Sequence, residues 1–335
     1  MDEMENAEFE IPDAEEIPHV PCQMSSPLDL KSMLKNTYIN NSFSLLSLNM
    51  RSIRKNFSSL LSFLSMIMFK FTIMILVETW LSEDIDIGFN IEGYKQLNIY
   101  RNAFGGGVKL YYDVMANAEI IESMTFVRDY MEVISINLFY NKDKYFVSGI
   151  YRPPSASPYL FNNALFQTII SDLPSSCLSL LVDDINLNLF NPQNCSYIDD
   201  FINLMFSYNY FPVITRPTRI NENVNRVVPF SLVDQIWSNF NHGLCSMSAV
   251  VKSTISDHFP ILYVFKLKTF NVVRTIKFRL IKERNVNNFV DLVTNLPLDT
   301  IYMNENIDGA FSDFYNKLFS IYNETCPVKK KAFKE

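Results

Sequence analysis

Between residues 43 and 265 short apolar runs recur, separated by turns and a few helical stretches. They are Phe43–Leu48, Phe71–Val77, Gly107–Tyr112, Met131–Phe139, Tyr145–Tyr151, Cys177–Val182, Leu232–Trp237 and Pro260–Phe265. Runs this short, bounded by turn residues, read as buried strands. Helical spacing interleaves them at Ile53–Met68, Pro158–Leu173 and Tyr197–Tyr208. Strands in this number, with helices between them, imply two sheets packed face to face with helices outside. The expected class is α/β (α+β): a four-layer sandwich of two mixed β-sheets flanked by helices.

The flanks differ from this body. Residues 1–40 are acidic and aperiodic and read as a disordered arm. Asp2, Glu3, Glu5, Glu8, Glu10, Asp13, Glu15 and Glu16 precede the first basic residue, Lys31. Without those 8 acids the formal charge changes from -7 to 29 basic minus 28 acidic residues, or +1. The body is therefore near neutral, and overall charge does not decide for or against a nucleic-acid partner. Beyond residue 268 the strand pattern fades, and residues 283–323 suggest two amphipathic helices before a basic end at Lys329–Lys331. The expected organisation is an arm (1–40), a main domain (41–268) and a helical connector (269–335).

Cys22, Cys177, Cys195, Cys245 and Cys326 show no CxxC spacing and are odd in number, which fits reduced thiols in an intracellular protein. Leu60–Val77 imitates a membrane span, but Lys70 stands at its centre and would be costly in lipid. A helix, a tight turn and a buried strand explain the stretch, so no membrane partner is expected. Gly105-Gly106-Gly107 lies between two strand-like runs and reads as a hairpin turn, since no phosphate-loop pattern surrounds it.

Polar residues cluster at the ends of the runs: Asn49, Glu78, Tyr151-Arg152, Asp183-Asp184 with Asn186, Asp234, and Ser256-Asp257-His258. Carboxylates gathered at one edge of a sandwich repel one another unless a cation sits among them. Oxygen ligands favour a hard ion such as Mg²⁺, with Mn²⁺ as an alternative. If Asp234 accepts from one ring nitrogen of His258, the other can exchange a proton with water. Metal, base and oriented water suit phosphodiester hydrolysis. Each piece also has a plainer reading. Asn49 can cap the following helix, Glu78 can close a strand, Asp183-Asp184 can be a solvated turn, and Tyr151–Pro154 a stiff strand exit. His19 and His242 fall in the arm and in a turn.

The order of the motifs is more specific than any one of them. SLNMRS (47–52), VETWL (77–81), IYRPP (150–154), VDDIN (182–186), RPTR (216–219), SLVDQIW (231–237) and ISDHFP (255–260) follow one another along the chain. This series resembles the endonuclease/exonuclease/phosphatase superfamily with its DNase I-like fold, and is most similar to the branch in LINE-type retrotransposons of the jockey kind. The resemblance covers about residues 41–268.

It implies a Mg²⁺-dependent DNA endonuclease that leaves a 3′-hydroxyl for target-primed reverse transcription. By the same resemblance Glu78, Asn49 and Asp257 lie at the metal, and Tyr151 contacts the scissile phosphate. Asp184 and Asn186 orient water and phosphate, Asp234 orients His258, and Thr218 and Ser256 support the phosphate. Element RNA and a reverse transcriptase are implied partners only within a longer protein, and the nucleus is the implied place of action. One departure stands out: the family's Gly-Asp-Phe-Asn is Asp183-Asp184-Ile185-Asn186 here. A carboxylate beside the site could repel a substrate phosphate. The alternative reading is therefore a catalytically decayed copy that keeps the fold and binds nucleic acid weakly through Arg216, Arg219 and the basic end. A superfamily phosphatase acting on small phosphoesters is a third reading, opposed by the YRPP and PTR wording.

Overall fold

A computed structural model of the chain describes residues 4, 7–9, 20–36, 42–141, 143–174, 177–190, 196–220, 230–240, 246–267, 274–279, 281–298, 301 and 306–333. They fall into two compact units, divided at residue 268. His19, His242, Cys195, Cys245 and most of the acidic residues before residue 20 lie outside the described residues.

The first unit contains two seven-stranded sheets. In sheet 1 the order is β1 (Cys22–Ser25), β15 (Ser246–Val251), β16 (Ile261–Lys266), β2 (Ser42–Asn49), β3 (Ile73–Val77), β5 (Val108–Asp113) and β4 (Tyr94–Ile99). In sheet 2 the order is β11 (Phe211–Pro212), β14 (Asp234–Ser238), β10 (Leu178–Asp184), β9 (Asp143–Tyr151), β8 (Met131–Tyr140) and β6 (Asn117–Ile120), with β7 (Phe126–Arg128) also on β8. A short pair, β12 (Arg219–Ile220) with β13 (Phe230–Ser231), stands apart. Both sheets are mixed, since β2–β3 and β9–β10 run parallel among antiparallel pairs.

Strand alternation assigns the two faces of each sheet. On β2, Leu46 and Leu48 join the core beneath helices α1 (Pro27–Asn36) and α2 (Ile53–Ile67). Phe43, on the other face, stacks on Phe265 at 4.9 Å and packs against Tyr145 of sheet 2 at 4.7 Å. The sheets meet most closely at Gly149 on β9. A Cβ there would lie 2.9 Å from Ile75 Cγ2 and 3.1 Å from Val108 Cγ1, both on sheet 1. Helices α3 (Pro158–Leu165) and α4 (Ser196–Ser207) cover the outer face of sheet 2, where Phe201 meets Trp237 edge-on at 5.4 Å.

The expected strands are present to within a residue or two, and Leu60–Val77 is a helix, a turn and a strand. Met68, at φ +54°, ends α2 in the left-handed region, and β3 then starts at Ile73. Among the described residues no helix is long and apolar enough to cross a membrane. Gly105–Gly107 lies in the β4–β5 hairpin as expected. The helix expected over Pro158–Leu173 is α-helical only to Leu165, after which it widens into a π turn, Phe166–Ile170.

The arm needs correction. Within residues 1–40, Cys22–Ser25 pairs in parallel with β15, and Pro27–Asn36 forms α1, whose Leu30 and Leu34 are buried. The acidic composition of residues 1–16 concealed a later segment with apolar residues at helical spacing, which covers sheet 1. Ala7–Phe9 is also anchored: Phe9 N donates to Thr215 O at 2.8 Å, and Glu8 pairs with Arg216 at 3.1 Å.

The second unit has α5 (Glu283–Thr294) and α6 (Ile307–Thr325), as the spacing predicts. It also pairs β17 (Arg274–Arg279) with β18 (Val328–Phe333), so the basic end is a strand. Phe289 of α5 meets Tyr322 of α6 edge-on at 6.2 Å.

Candidate active site

Five strand ends deliver polar side chains to one edge of the sandwich. In sheet 2, Asp234, Asp184 and Tyr151 stand directly opposite one another across β14, β10 and β9. Residues so paired share a face. Sheet 1 contributes Asn49 at the end of β2, and Glu78 follows β3. Asn49 Nδ2 donates to Glu78 Oε1 at 2.8 Å and to Asp184 Oδ2 at 2.7 Å. One amide thus bridges two carboxylates from opposite sheets. Tyr151 Oη donates to the same Glu78 Oε1 at 3.1 Å, and Trp80 Nε1 to Oε2 at 3.2 Å.

His258 completes the cluster. Its Nδ1 lies 2.8 Å and 3.0 Å from the two oxygens of Asp234, and the ring is buried. Thr218 Oγ1 accepts from Asp234 N at 3.1 Å and from Val233 N at 3.2 Å, so it holds the Asp234 backbone. Ser256 Oγ donates to Asn49 O at 2.7 Å and accepts from His258 N at 3.1 Å, which ties the histidine loop to β2. Asn186, at φ +50°, accepts nothing from the cluster side chains: its N–H donates to Asp184 Oδ1 at 3.1 Å and its Nδ2 to Arg152 O at 2.9 Å.

The charges in this pocket are strongly coupled. Burial and the Asp234 charge push Asp184 up to about 7, despite His258 and the Asn49 hydrogen bond. Burial by itself would lower the His258 imidazole, but the Asp234 carboxylate it touches, and Asp184 beyond, hold it at about 9. Burial and the Glu78 and Asp184 charges raise the Tyr151 phenol, which stays protonated. Asp184, Asp234 and His258 each offer a ligand atom, all within 4.8 Å of one another. A cluster with too much negative charge and mainly oxygen donors fits a hard divalent cation, with Glu78, Asp184 and Asp234 as candidate ligands.

Two of the sequence-derived residues sit differently from their expected use. Asp257 is held by two guanidinium groups, Arg51 at 3.2 Å and Arg219 at 3.0 Å, and no described hydrogen bond joins it to Glu78 or Asn49. Asp183 points away from the cluster. It lies opposite Gln235 in register, on the face that carries Trp237 under α4, and both its oxygens lack a hydrogen-bond partner among the described residues. Burial and the nearby charges of Asp184 and Asp234 raise its pKa well above the usual carboxylate range, and the Trp237 indole offsets this without reaching hydrogen-bond geometry. The expected repulsion of substrate by a carboxylate at 183 therefore has no geometric basis, because alternation along β10 sends 183 and 184 to opposite faces.

Sequence reasoning assigned no site role to three residues. Arg152 is buried, donates from Nε to Ile185 O at 2.5 Å and from Nη2 to Asn186 O at 3.2 Å, and so fixes the loop after β10. Its place beside Tyr151 was the available signal. Trp80 holds Glu78. Glu132 carried no motif signal, because it opens a run instead of closing one.

No protein-family model matches the chain, and no curated protein matches it in sequence. Solved structures do match in fold. The endonuclease domain of TRAS1, a telomere-specific non-LTR retrotransposon, superposes with a TM-score of 0.54 at 10% identity, over 68% of this chain and 100% of that one. An AP endonuclease from Archaeoglobus fulgidus gives 0.51 at 11% identity, over 67% and 99%. A 3′ phosphatase from Neisseria, bound to a product DNA hairpin, gives 0.51 at 12% identity, over 67% and 99%. The first unit thus has the DNase I-like fold of endonuclease/exonuclease/phosphatase domains.

Proposed function

We propose that the first unit is a divalent-metal-dependent phosphodiesterase that nicks DNA and leaves a 3′-hydroxyl. The carrying observation is the contiguous cluster Glu78–Asn49–Asp184–Asp234–His258 with Tyr151, assembled from both sheets at one edge of the sandwich. A bound Mg²⁺ or Mn²⁺ would supply Lewis-acid stabilisation of charge on the phosphate oxygens. Glu78 and Asp184, bridged by Asn49, would hold it.

The remaining chemistry belongs to this chain. Water adds to phosphorus and the P–O3′ bond breaks. The Asp184 oxygen not engaged by the ion can accept the proton of the attacking water. His258 is an imidazolium at neutral pH, so its outer nitrogen serves better as a donor to the phosphate than as a base. Asp234 keeps the ring oriented. The Tyr151 phenol supplies a second donor to the phosphate. The 3′ oxygen leaves and takes up a proton from solvent.

The motif series supports a narrower version, in which the 3′-hydroxyl primes reverse transcription for a LINE-type element. DNA is then the substrate, element RNA and a reverse transcriptase act within a longer protein, and the nucleus is the site of action. Thr218 and Ser256 belong to this site as phosphate-supporting groups, Asn186 orients the phosphate, and Asp257 stands near the metal. In this reading the first unit, with β1 and α1 added to residues 41–268, is the nuclease, and 269–335 form a connector.

A supercoiled-plasmid assay tests the proposal. Mg²⁺-dependent relaxed circles should disappear with EDTA and in Glu78→Ala. The absence of nicking by a folded wild-type chain would favour the second reading, a fold-retaining copy without activity. That reading rests on the sequence departure at Asp183 from the family's usual glycine and not on any contact of Asp183 with the cluster.

A further inference from the structure

The polar row of sheet 2 has a fourth member. Asp234, Asp184 and Tyr151 align across β14, β10 and β9, and the position opposite Tyr151 on β8 is Glu132. Glu132 is fully buried and shares the face of the cluster. A buried carboxylate requires partners. Here they are the loop between β4 and β5: Oε2 accepts from Gly107 N at 2.6 Å, and Oε1 from Arg101 Nη1 at 3.1 Å.

That loop is pressed between Glu132 and the segment after β3. Gly106 and Gly107 have φ of +68° and +86°. A Cβ on Gly106 would collide with both Glu132 oxygens, and one on Gly107 would lie 2.5 Å from Thr79 Oγ1. The same two glycines accept from the other side, Gly107 O from Thr79 N at 3.3 Å and Gly106 O from Trp80 N at 2.9 Å. Thr79 and Trp80 directly follow Glu78. Glu78 and Trp80 have φ of +51° and +54°, a backbone state that non-glycine residues hold only when their surroundings enforce it.

We infer that Glu132 is a positioning residue for Glu78: by clamping Gly107 and Arg101 it fixes the glycine carbonyls that pin Thr79 and Trp80, and so sets the direction of the Glu78 carboxylate. The inference rests on the proposed role of Glu78 at a metal. Residues that orient ligands in this way typically change metal affinity about 10–100-fold when lost.

The test reads metal binding apart from catalysis. Trp80, against Glu78, can sensitise Tb³⁺ luminescence, and Trp237→Phe removes the second of the two tryptophans. In the full chain, Glu132→Ala should weaken Tb³⁺ binding about 10–100-fold and raise the Mg²⁺ needed for half-maximal nicking similarly. The nicking rate at saturating Mg²⁺ should stay within about twofold, a split that simple loss of fold would not produce. Glu132→Gln keeps an acceptor for Gly107 N and should recover most of the affinity. A folded Glu132→Ala with an unchanged Tb³⁺ midpoint would overturn the inference. If Glu132→Ala does not fold, Arg101→Ala and Glu132→Gln decide: a severalfold loss in the former sustains it, and unchanged midpoints in both refute it. A wild-type chain that binds no Tb³⁺ would defeat the metal reading and this inference together, whereas wild-type binding with indifferent variants strikes this inference alone.

Discussion

Replacing Asp183 with Asn should stabilise the protein, increasingly so as pH rises. Asp183 is 3% exposed, and neither oxygen has a hydrogen-bond partner among the described residues. Its folded pKa is raised well above 3.8, chiefly by burial. A raised carboxyl contributes stability that is present below the unfolded value and lost as pH climbs toward the folded one. Above 3.8 the unfolded chain ionises this group, while burial favours its proton in the folded chain. Each pH unit between 3.8 and the folded value costs about 1.36 kcal/mol of stability. Asn has nearly the same shape and also buries an imperfectly paired polar group, so the roughly 1–3 kcal/mol of that burial is common to both chains. The gain of Asp183→Asn over wild type should therefore grow with pH by up to about 1.4 kcal/mol per unit above the unfolded value, measured by urea unfolding at several pH values. A stability difference independent of pH would refute the claim that Asp183 is held neutral in the fold.

Other perturbations probe the site and the frame. His258→Ala should lower the plasmid-nicking rate by about 10²–10⁴-fold while circular dichroism and the melting midpoint stay near wild type; full retained activity would remove His258 from the mechanism. Divalent metal must displace a proton from Asp184 below about 7, so Mn²⁺ affinity by calorimetry should fall about tenfold per pH unit below that value and level off above it. A flat profile would exclude Asp184 as a ligand. The buried pair Lys109–Asp86, 2.7 Å apart, also anchors Asn98 and Tyr100, so Asp86→Ala should cost about 3–5 kcal/mol in urea unfolding by leaving Lys109 uncompensated. Gly149→Val should cost about 1–3 kcal/mol or more, since its side chain would enter the space of Ile75 and Val108.

Local pattern was sufficient for much of this molecule. Apolar runs bounded by turn residues marked eight of the strands, and helical spacing marked α2, α4, α5 and α6, because burial selects residue type at each position of an element. The motif order also named Asn49, Glu78, Tyr151, Asp184, Asp234 and His258, which converge at one edge. The sequence did not reveal what depends on partners distant along the chain. Strand β1 exists through pairing with β15, more than two hundred residues away, and α1 through the apolar face of sheet 1 that it covers. The motif order singled out Asp184 within VDDIN, but only the pairing of β10 with β14 shows that its neighbour Asp183 turns to the opposite face. Glu132 is a similar case: it lacks a motif of its own and gains a place near the site only because β8 sets it opposite Tyr151. Residue type reports whether a position is buried, but direction and company are properties of the register between strands, which tertiary packing alone decides.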